Sequence, residues 1–178
     1  VKELDITKGD ITINANGYTV GNTGDPDFTG SYKITGSGAS TGNRIIVTGG
    51  EQNITLDNVS IKSSGCAFAL QNGANVTLNL VEDNTLQSGG GAAGVHVPAG
   101  TKLTIEGNGN LTAQGSYSGS NYYGAGIGGS GSSSSNPGNF GDITLQGSGT
   151  ITAIGGGYGA GIGGAYYGAG GNIVISGG

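Results

Sequence analysis

The sequence predicts an all-β protein in which short strands stack as successive coils. Three observations support this. The seven residues Tyr-Gly-Ala-Gly-Ile-Gly-Gly occur at 123–129 and again, 35 residues later, at 158–164. Short runs of Ile, Val, Leu and Thr, which favour strands, recur along the chain. Glycine makes up 42 of the 178 residues and often separates these runs. A repeat period of ~20–50 residues is typical of units that bury their apolar faces against one another.

The first set of aligned runs has apolar residues at its second and fourth positions. Side chains alternate across a strand, so these two positions share one face. The longest gap between runs contains residues 130–141, a Ser-, Gly- and Asn-rich segment that predicts an inserted loop. The aligned runs are 53–56, 75–78, 102–105, 142–145 and 172–175.

The second set of runs predicts the face that points into the core. We assign inward the small residues Cys66, Ala93, Ala125 and Ala160, each followed two positions later by a larger apolar residue. The intervening positions are then expected to face outward. The inward apolar ladder is Ile45, Phe68, Val95, Ile127 and Ile162, and the outward one is Ile46, Ala69, His96, Gly128 and Gly163.

A third set of runs completes a repeat of three short strands with glycine or asparagine at each corner. It comprises residues 59–61, Leu86, 111–113 and 151–153. This pattern predicts a right-handed single-stranded parallel β-helix of about five to six coils, because crossovers between parallel strands are almost always right-handed. We expect one domain over 1–178, with an N-terminal cap and first coil at 1–42. Repeated coils at 43–178 would follow, as part of a longer protein.

These columns and corners resemble the pectate-lyase-like right-handed parallel β-helix. The two glycine-rich phrases and residues 4–20, LDITKGDITINANGYTV, resemble a group of bacterial surface and secreted carbohydrate-binding proteins. Some members of that group bind cellulose or pectin with calcium. The resemblance implies a polysaccharide partner of the plant cell-wall type, calcium as a cofactor, and a location outside the cell or on the bacterial surface. Fold by itself does not establish function.

The charges and apolar runs exclude two classes of partner. The formal net charge is −5, and the six basic residues are scattered along the chain. Nucleic-acid binding requires a basic stripe, so no nucleic-acid partner is expected. No apolar run approaches the ~20 residues of a membrane helix, so no membrane insertion is expected. The sequence does not indicate an oligomeric state.

Catalysis by the residues of the predicted outward face is not expected. Its titratable residues are Arg44 and His96, which lie two coils apart, ~10 Å at strand spacing. That separation is too long for direct acid–base chemistry, and glycoside hydrolysis needs two facing carboxylates. We interpret His96 as an exposed strand residue, with a sugar-contacting donor as the alternative.

The acidic corners allow two interpretations. Corners on adjacent coils lie ~4.8 Å apart, so carboxylates from two coils can face one gap and supply oxygens to calcium. The other interpretation is turn chemistry, in which Asp and Asn side chains bind local backbone amides. The best candidate cluster for a metal is Asp57, Glu82, Asp83 and Asn84.

Tyrosine is concentrated in the second half of the chain, beside the glycine-rich phrases. Stacked coils would bring Tyr122 and Tyr123 close to Tyr158. Exposed aromatic rings pack well against the apolar faces of sugars. Alternatively, the tyrosines pack on one another and order the loops. The candidate carbohydrate-binding residues are Tyr122, Tyr123, Tyr158, Tyr166, Tyr167 and His96.

The sequence therefore predicts a non-catalytic, extracellular polysaccharide-binding module that calcium assists. A structural spacer or adhesin segment of a surface protein is the first alternative. A polysaccharide lyase is the second.

Overall fold

The computed structural model describes residues 1–119, 122–131 and 135–177, and these residues form an all-β protein. The described residues contain 22 strands and no α-helix. A single 3₁₀ turn at Ile6–Lys8 is capped by the Asp5 carboxylate, which accepts a 2.9 Å hydrogen bond from the Thr7 N–H. No helix in the described part of the chain is long and apolar enough to span a membrane.

The strands are short, as the spacing of the apolar runs predicts. The first eleven are β1 Lys2–Asp5, β2 Ile11–Ile13, β3 Tyr18–Val20, β4 Thr23–Asp25, β5 Tyr32–Thr35, β6 Ile45–Val47, β7 Glu51–Asp57, β8 Ser60–Lys62, β9 Phe68–Leu70, β10 Asn75–Val81 and β11 Asp83–Gln87. The others are β12 Val95–His96, β13 Lys102–Gly107, β14 Asn110–Gln114, β15 Tyr117–Ser118, β16 Tyr122–Gly124, β17 Ile127–Gly128, β18 Ser130–Gly131, β19 Asp142–Leu145, β20 Ile151–Ile154, β21 Ile162–Gly163 and β22 Ile173–Ile175.

The strands form four sheets, three of which are largely or wholly parallel. Sheet A has the order β1-β5-β7-β10-β13-β19-β22, and sheet C has the order β20-β14-β11-β8. Sheet B has the order β21-β17-β12-β9-β6-β2-β3-β4, and sheet D has the order β15-β16-β18. All pairs in sheets A and C are parallel.

Two regions depart from the parallel pairing that the sequence predicts. At the N-terminal end of sheet B, β2, β3 and β4 pair antiparallel. Sheet D is antiparallel throughout. The segment expected to be an inserted loop at 130–141 begins with β18, which pairs with β16. Antiparallel pairs need only a short turn, so segments close in sequence can form them locally.

From β7 onward the chain visits the three larger sheets in rotation. β7, β8 and β9 lie in sheets A, C and B, and β10, β11 and β12 repeat that order. The next strands, β13, β14 and β17, do the same, and β19, β20 and β21 follow. Sheet D is formed from the chain between β14 and β19. Each return to a sheet therefore adds one parallel strand beside the previous one.

The inward ladder that the sequence predicts in sheet B is confirmed. Strand pairing places Ile45 beside Phe68, Phe68 beside Val95, Val95 beside Ile127 and Ile127 beside Ile162. Hydrogen bonds from Gly94 to Ala125 and from Gly126 to Ala160 continue the same register. Ala93 and Ala125 are fully buried, and Ala160 is half-buried at the last strand of the stack.

The predicted register of sheet A is wrong at one run. Asn53 pairs with Thr77, whereas the sequence alignment places it beside Asn75. The shift of two residues keeps every side chain on its own face, so the alternation alone does not detect it. Gln52 consequently occupies a core position beside Val76. Its side-chain amide donates to the carbonyls of Asn14 (3.0 Å) and Gly49 (3.2 Å), which compensates for its burial.

The strands β20, β21 and β22 are the edges of sheets C, B and A at the C-terminal end of the stack. Their apolar side chains are less covered than the equivalent residues of earlier strands. Ile173 and Ile175 are 40% and 63% exposed, whereas Leu103 and Ile105, at the equivalent positions of β13, are almost fully buried. The best-covered part of the core therefore lies in the middle of the stack.

Candidate functional site

The four residues predicted to hold calcium lie at the corner between sheets A and C, but they do not converge on one point. Asp57 ends β7 and forms an ion pair with Lys33, whose Nζ lies 2.8 Å from its Oδ2. This contact raises the pKa of Lys33. Glu82 has a left-handed backbone conformation, with φ of 56°, and is exposed. Such a φ is uncommon for a residue other than glycine and marks the tight turn between β10 and β11.

Asn84 is buried, and its side chain is occupied by the backbone. Its Oδ1 accepts a 3.0 Å hydrogen bond from the Val59 N–H. Its Nδ2 donates to the carbonyls of Val81 (2.9 Å), Glu82 (3.4 Å) and Asn110 (3.3 Å). These hydrogen bonds connect β11 with the neighbouring strand β14 of sheet C and with Val59, the residue before β8. They correspond to the turn-chemistry interpretation of this corner.

Asp83 is exposed and lies beside the same corner. Its Oδ1 accepts a 2.7 Å hydrogen bond from the Asn110 side chain of the next level. Glu82 and Asp83 line an open depression of about 260 Å³ together with Asn108 and Asn110. Across residues 1–119, 122–131 and 135–177, no group of three or more His, Cys, Asp or Glu side chains could hold a metal ion. Calcium binding at this corner stays a prediction.

The structure brings four of the predicted tyrosines together in a cluster, which we call the tyrosine cluster: Tyr123, Tyr158, Tyr166 and Tyr167. The ring centre of Tyr123 lies 5.0 Å from that of Tyr158 and 5.1 Å from that of Tyr166, both edge-to-face. Tyr158 and Tyr166 are stacked at 5.6 Å. Tyr167 follows at 4.3 Å from Tyr166. A hydrogen bond with Tyr167 raises the pKa of Tyr166, so this phenol is neutral at physiological pH.

The cluster combines buried and exposed rings. Tyr123 is 8% exposed, whereas Tyr158 and Tyr167 are 72% and 61% exposed. Large exposed aromatic rings are unusual, and here they are held by contact with rings beneath them. Tyr122 belongs to β16, but its side chain lies outside the described residues. Its predicted role in binding stays a prediction.

A cleft of about 330 Å³ lies beside the tyrosine cluster. Its lining includes Gln87, Gln114, Ser116 and Tyr117 from two levels of the stack, and residues 155–157 from the next. Gly157 connects the cleft to the cluster. Its φ is +56°, and a Cβ at this position would press against the Tyr123 ring. Only glycine therefore lets the chain pass this close to the buried ring.

Three residues that line the cleft, Tyr117, Gln87 and Gln114, are not among the site residues predicted from the sequence. Tyr117 is 67% exposed. Gln87 and Gln114 pair side by side at the ends of β11 and β14. The signal was present, because both glutamines come one position after the third set of aligned runs. The apolar pattern that defines those runs ends at Leu86 and Ala113 and does not include the polar residue that follows.

His96 does not join the tyrosine cluster in any ring contact that the structure describes, and its predicted exposure is wrong. Its neighbours in the outward ladder, Ala69 and Gly128, are buried, and His96 is itself half-buried. A Cβ added to Gly163 would lie 3.9 Å from the Phe140 ring. Phe140 belongs to the segment at 130–141, so this segment covers part of the outward ladder. Burial lowers the pKa of His96 to about 4.

The lowered pKa of His96 predicts a pH-dependent stability. Between pH 6.5, the ordinary pKa of histidine, and about pH 4, the unfolded chain binds a proton at this residue that the folded chain does not. Lowering the pH through this window should therefore lower the free energy of unfolding. His96→Gln should remove the part of this decrease that comes from His96. Urea unfolding of both proteins at pH 7.5 and pH 4.5 measures the difference. If the free energy of unfolding falls equally in the two proteins, the lowered pKa of His96 does not cause the pH dependence.

No family model matches the chain, and no curated protein and no solved structure is detectably similar to it. The resemblance to the pectate-lyase-like β-helix and to bacterial carbohydrate-binding surface proteins is therefore wrong. The four separate sheets, with antiparallel pairs in two of them, also differ from that expectation. The glycine-rich phrases reflect how the corners of the stack are built, and a shared corner geometry does not require shared ancestry.

Proposed function

We propose that the protein binds polysaccharide at the tyrosine cluster, without catalysing a reaction. The observation that carries this proposal is the pair of exposed rings, Tyr158 and Tyr167, supported from below by Tyr123 and Tyr166. The proposal places the protein outside the cell, where insoluble polysaccharides are found.

The chemistry of the cluster suits sugar rings. A pyranose has an apolar C–H face that packs on an aromatic ring, while its hydroxyl groups need polar partners at the rim. Tyr158 and Tyr167 offer ring faces, and the adjacent cleft offers Ser116 as a polar partner. Because the rings are already packed on one another, binding costs little side-chain entropy at the tyrosine cluster.

We propose binding without catalysis because the cleft is chemically neutral. None of the described residues that line it is acidic or basic. Glycoside hydrolysis needs two carboxyl groups on either side of the bond that is cleaved. Proton abstraction needs a base within hydrogen-bond reach of the substrate.

We also propose that sheets A, B and C are the three sides of one coil, that is, a parallel β-helix. The rotation of the chain through the three sheets supports this proposal. Tyr117 follows β14 of sheet C and Tyr123 precedes β17 of sheet B, and Tyr158 lies between β20 and β21 of the same two sheets. The tyrosine cluster would then occupy one edge of the coil, where side chains project away from the core.

Replacing Tyr158 with alanine should weaken polysaccharide binding about tenfold, or about 1.4 kcal/mol, because the variant loses an exposed ring face at the centre of the site. The measurement is depletion of the protein by insoluble cellulose, together with affinity electrophoresis in polygalacturonate. Each assay is run with calcium and with a chelator, so the predicted contribution of calcium is measured separately.

The matched control is Tyr158→Phe, which keeps the ring and removes only the hydroxyl. It should bind about as well as the unmodified protein, because the sugar packs on the ring face. If Tyr158→Ala binds as tightly as the unmodified protein, the cluster is not the binding site. If the unmodified protein is retained by neither polysaccharide, the proposal is overturned.

A structural spacer is the second candidate, favoured by the regularity of the buried ladders from Ile45 to Ile162. A spacer needs a stiff stack and no ligand. It therefore predicts no retention on any polysaccharide and no functional effect of Tyr158→Ala.

A further inference from the structure

The outer face of sheet C carries a regular array of uncharged polar side chains. Thr85, Thr112 and Thr152 pair side by side across β11, β14 and β20. Two positions further along the same strands, Gln87 pairs with Gln114, and Gln114 pairs with Ile154. The intervening residues, Leu86 and Ala113, are fully buried. Because side chains alternate across a strand, these two ladders lie together on the outer face.

Two depressions follow one another along this face. The first, of about 500 Å³, is lined by residues that include Thr85, Thr112, Thr150 and Thr152. The second is the 330 Å³ cleft that contains Gln87 and Gln114 and borders the tyrosine cluster. The threonine and glutamine ladders lie two residues apart, ~7 Å at the rise of a strand, and the second depression continues past them to residues 155–157. The face is therefore longer than a single sugar ring.

The side chains on this face match the chemistry of an uncharged sugar chain. Threonine hydroxyls and glutamine amides both donate and accept hydrogen bonds, as sugar hydroxyls do. Ile154 is 43% exposed within the glutamine ladder and offers an apolar surface to a sugar C–H face. Of the described residues that line the two depressions, the one charged residue is Asp83.

The charge on this face disfavours acidic polysaccharides. A polyuronate carries one carboxylate per sugar, and its binding would need basic partners to offset the cost of desolvating those charges. The two depressions supply none, and Asp83 adds repulsion. The overall charge of −5 acts in the same direction.

We infer that a linear, neutral glycan lies along the outer face of sheet C, from the threonine ladder past the glutamine ladder to the tyrosine cluster. This inference rests on the proposed function. It adds the direction in which the glycan runs along the sheet and the class of sugar that is bound. The tyrosine cluster binds one end of the glycan by ring packing. The threonine and glutamine ladders bind the following sugars by hydrogen bonds.

The inference is tested by calorimetric titration of the full chain with cellohexaose, cellobiose and hexagalacturonate. The test variant is the double replacement Gln87→Ala/Gln114→Ala. It should weaken cellohexaose binding about tenfold and leave cellobiose binding almost unchanged, because a disaccharide reaches only the tyrosine cluster. The matched control is Thr77→Ala/Thr104→Ala, paired outward positions on sheet A, which should affect neither ligand. Circular dichroism confirms that each variant is folded.

The outcomes separate the inference from the proposed function. If the double glutamine variant binds cellohexaose as tightly as the unmodified protein, while Tyr158→Ala binds it weakly, the inference is overturned and the proposed function stands. Hexagalacturonate binding as tight as cellohexaose binding would overturn the assignment to neutral sugars. If no glycan is bound by the unmodified protein, both the inference and the proposed function are overturned.

Discussion

Replacing Asn84 with alanine should lower the free energy of unfolding by about 2–4 kcal/mol. The variant loses the acceptor of the Val59 N–H and the donor to the carbonyls of Val81 and Asn110. Each buried polar group left without a partner costs about 1–3 kcal/mol. Asn84 is 2% exposed, so its backbone partners depend on its side chain. Equilibrium unfolding in urea, followed by circular dichroism, measures the loss.

Asn79→Ala is the matched control for Asn84→Ala. Asn79 lies on the outer face of β10, and its amide makes a single long hydrogen bond of 3.5 Å, to Thr55 Oγ1. Removing it should change stability by less than about 0.5 kcal/mol, as is usual for surface substitutions. Equal losses for the two variants would show that the buried hydrogen bonds of Asn84 do not hold the corner together.

Replacing Gly128 with alanine should destabilise the fold by about 2–6 kcal/mol. Gly128 has a φ of +136°, a conformation that costs a residue with a Cβ about 1–3 kcal/mol. A Cβ at Gly128 would in addition overlap the carbonyl oxygen of Gly163 on the next strand, and relieving that overlap costs about 1–3 kcal/mol more. Thermal and urea unfolding measure the total.

Gly163 is the natural control, because it is the equivalent glycine of the second phrase and pairs with Gly128. Its φ is +132°, but the nearest atom to an added Cβ is the Ala160 Cβ at 3.5 Å. Gly163→Ala should therefore cost only the conformational part, about 1–3 kcal/mol. The difference between the two variants isolates the cost of close approach between strands. Equal effects would mean that backbone conformation alone explains both glycines.

The core ladders were predictable from the sequence because each depends on a local pattern. Phe68, Val95 and Ile127 are separated by different distances along the chain, yet each lies in a short run whose alternation assigns it to the inside. Similar runs align without knowledge of the loops between them. Side-chain alternation does not distinguish the correct strand register from one shifted by two residues. For this reason the predicted pairing of Asn53 with Asn75 is wrong.

The candidate site was only partly predictable. The sequence placed Tyr123 near Tyr158, since the two glycine-rich phrases lie side by side in parallel strands. It did not predict that Tyr166 returns to stack on Tyr158, because that contact depends on the course of a glycine-rich loop. Nor did it predict that His96 is half-buried, because the cover of an outward position depends on which segments pack over the sheet.

By itself, the sequence determined which residues face the core and that the chain forms short parallel strands separated by glycine corners. These features follow from side-chain alternation and from the conformations that glycine alone adopts easily. Only the tertiary structure decided which polar residues are tied to the backbone and which are free to meet a ligand. Asn84 and Gln114 are both polar residues of sheet C, yet one is buried in hydrogen bonds and the other lines a cleft. That distinction depends on which segments, distant in the chain, pack over each side chain.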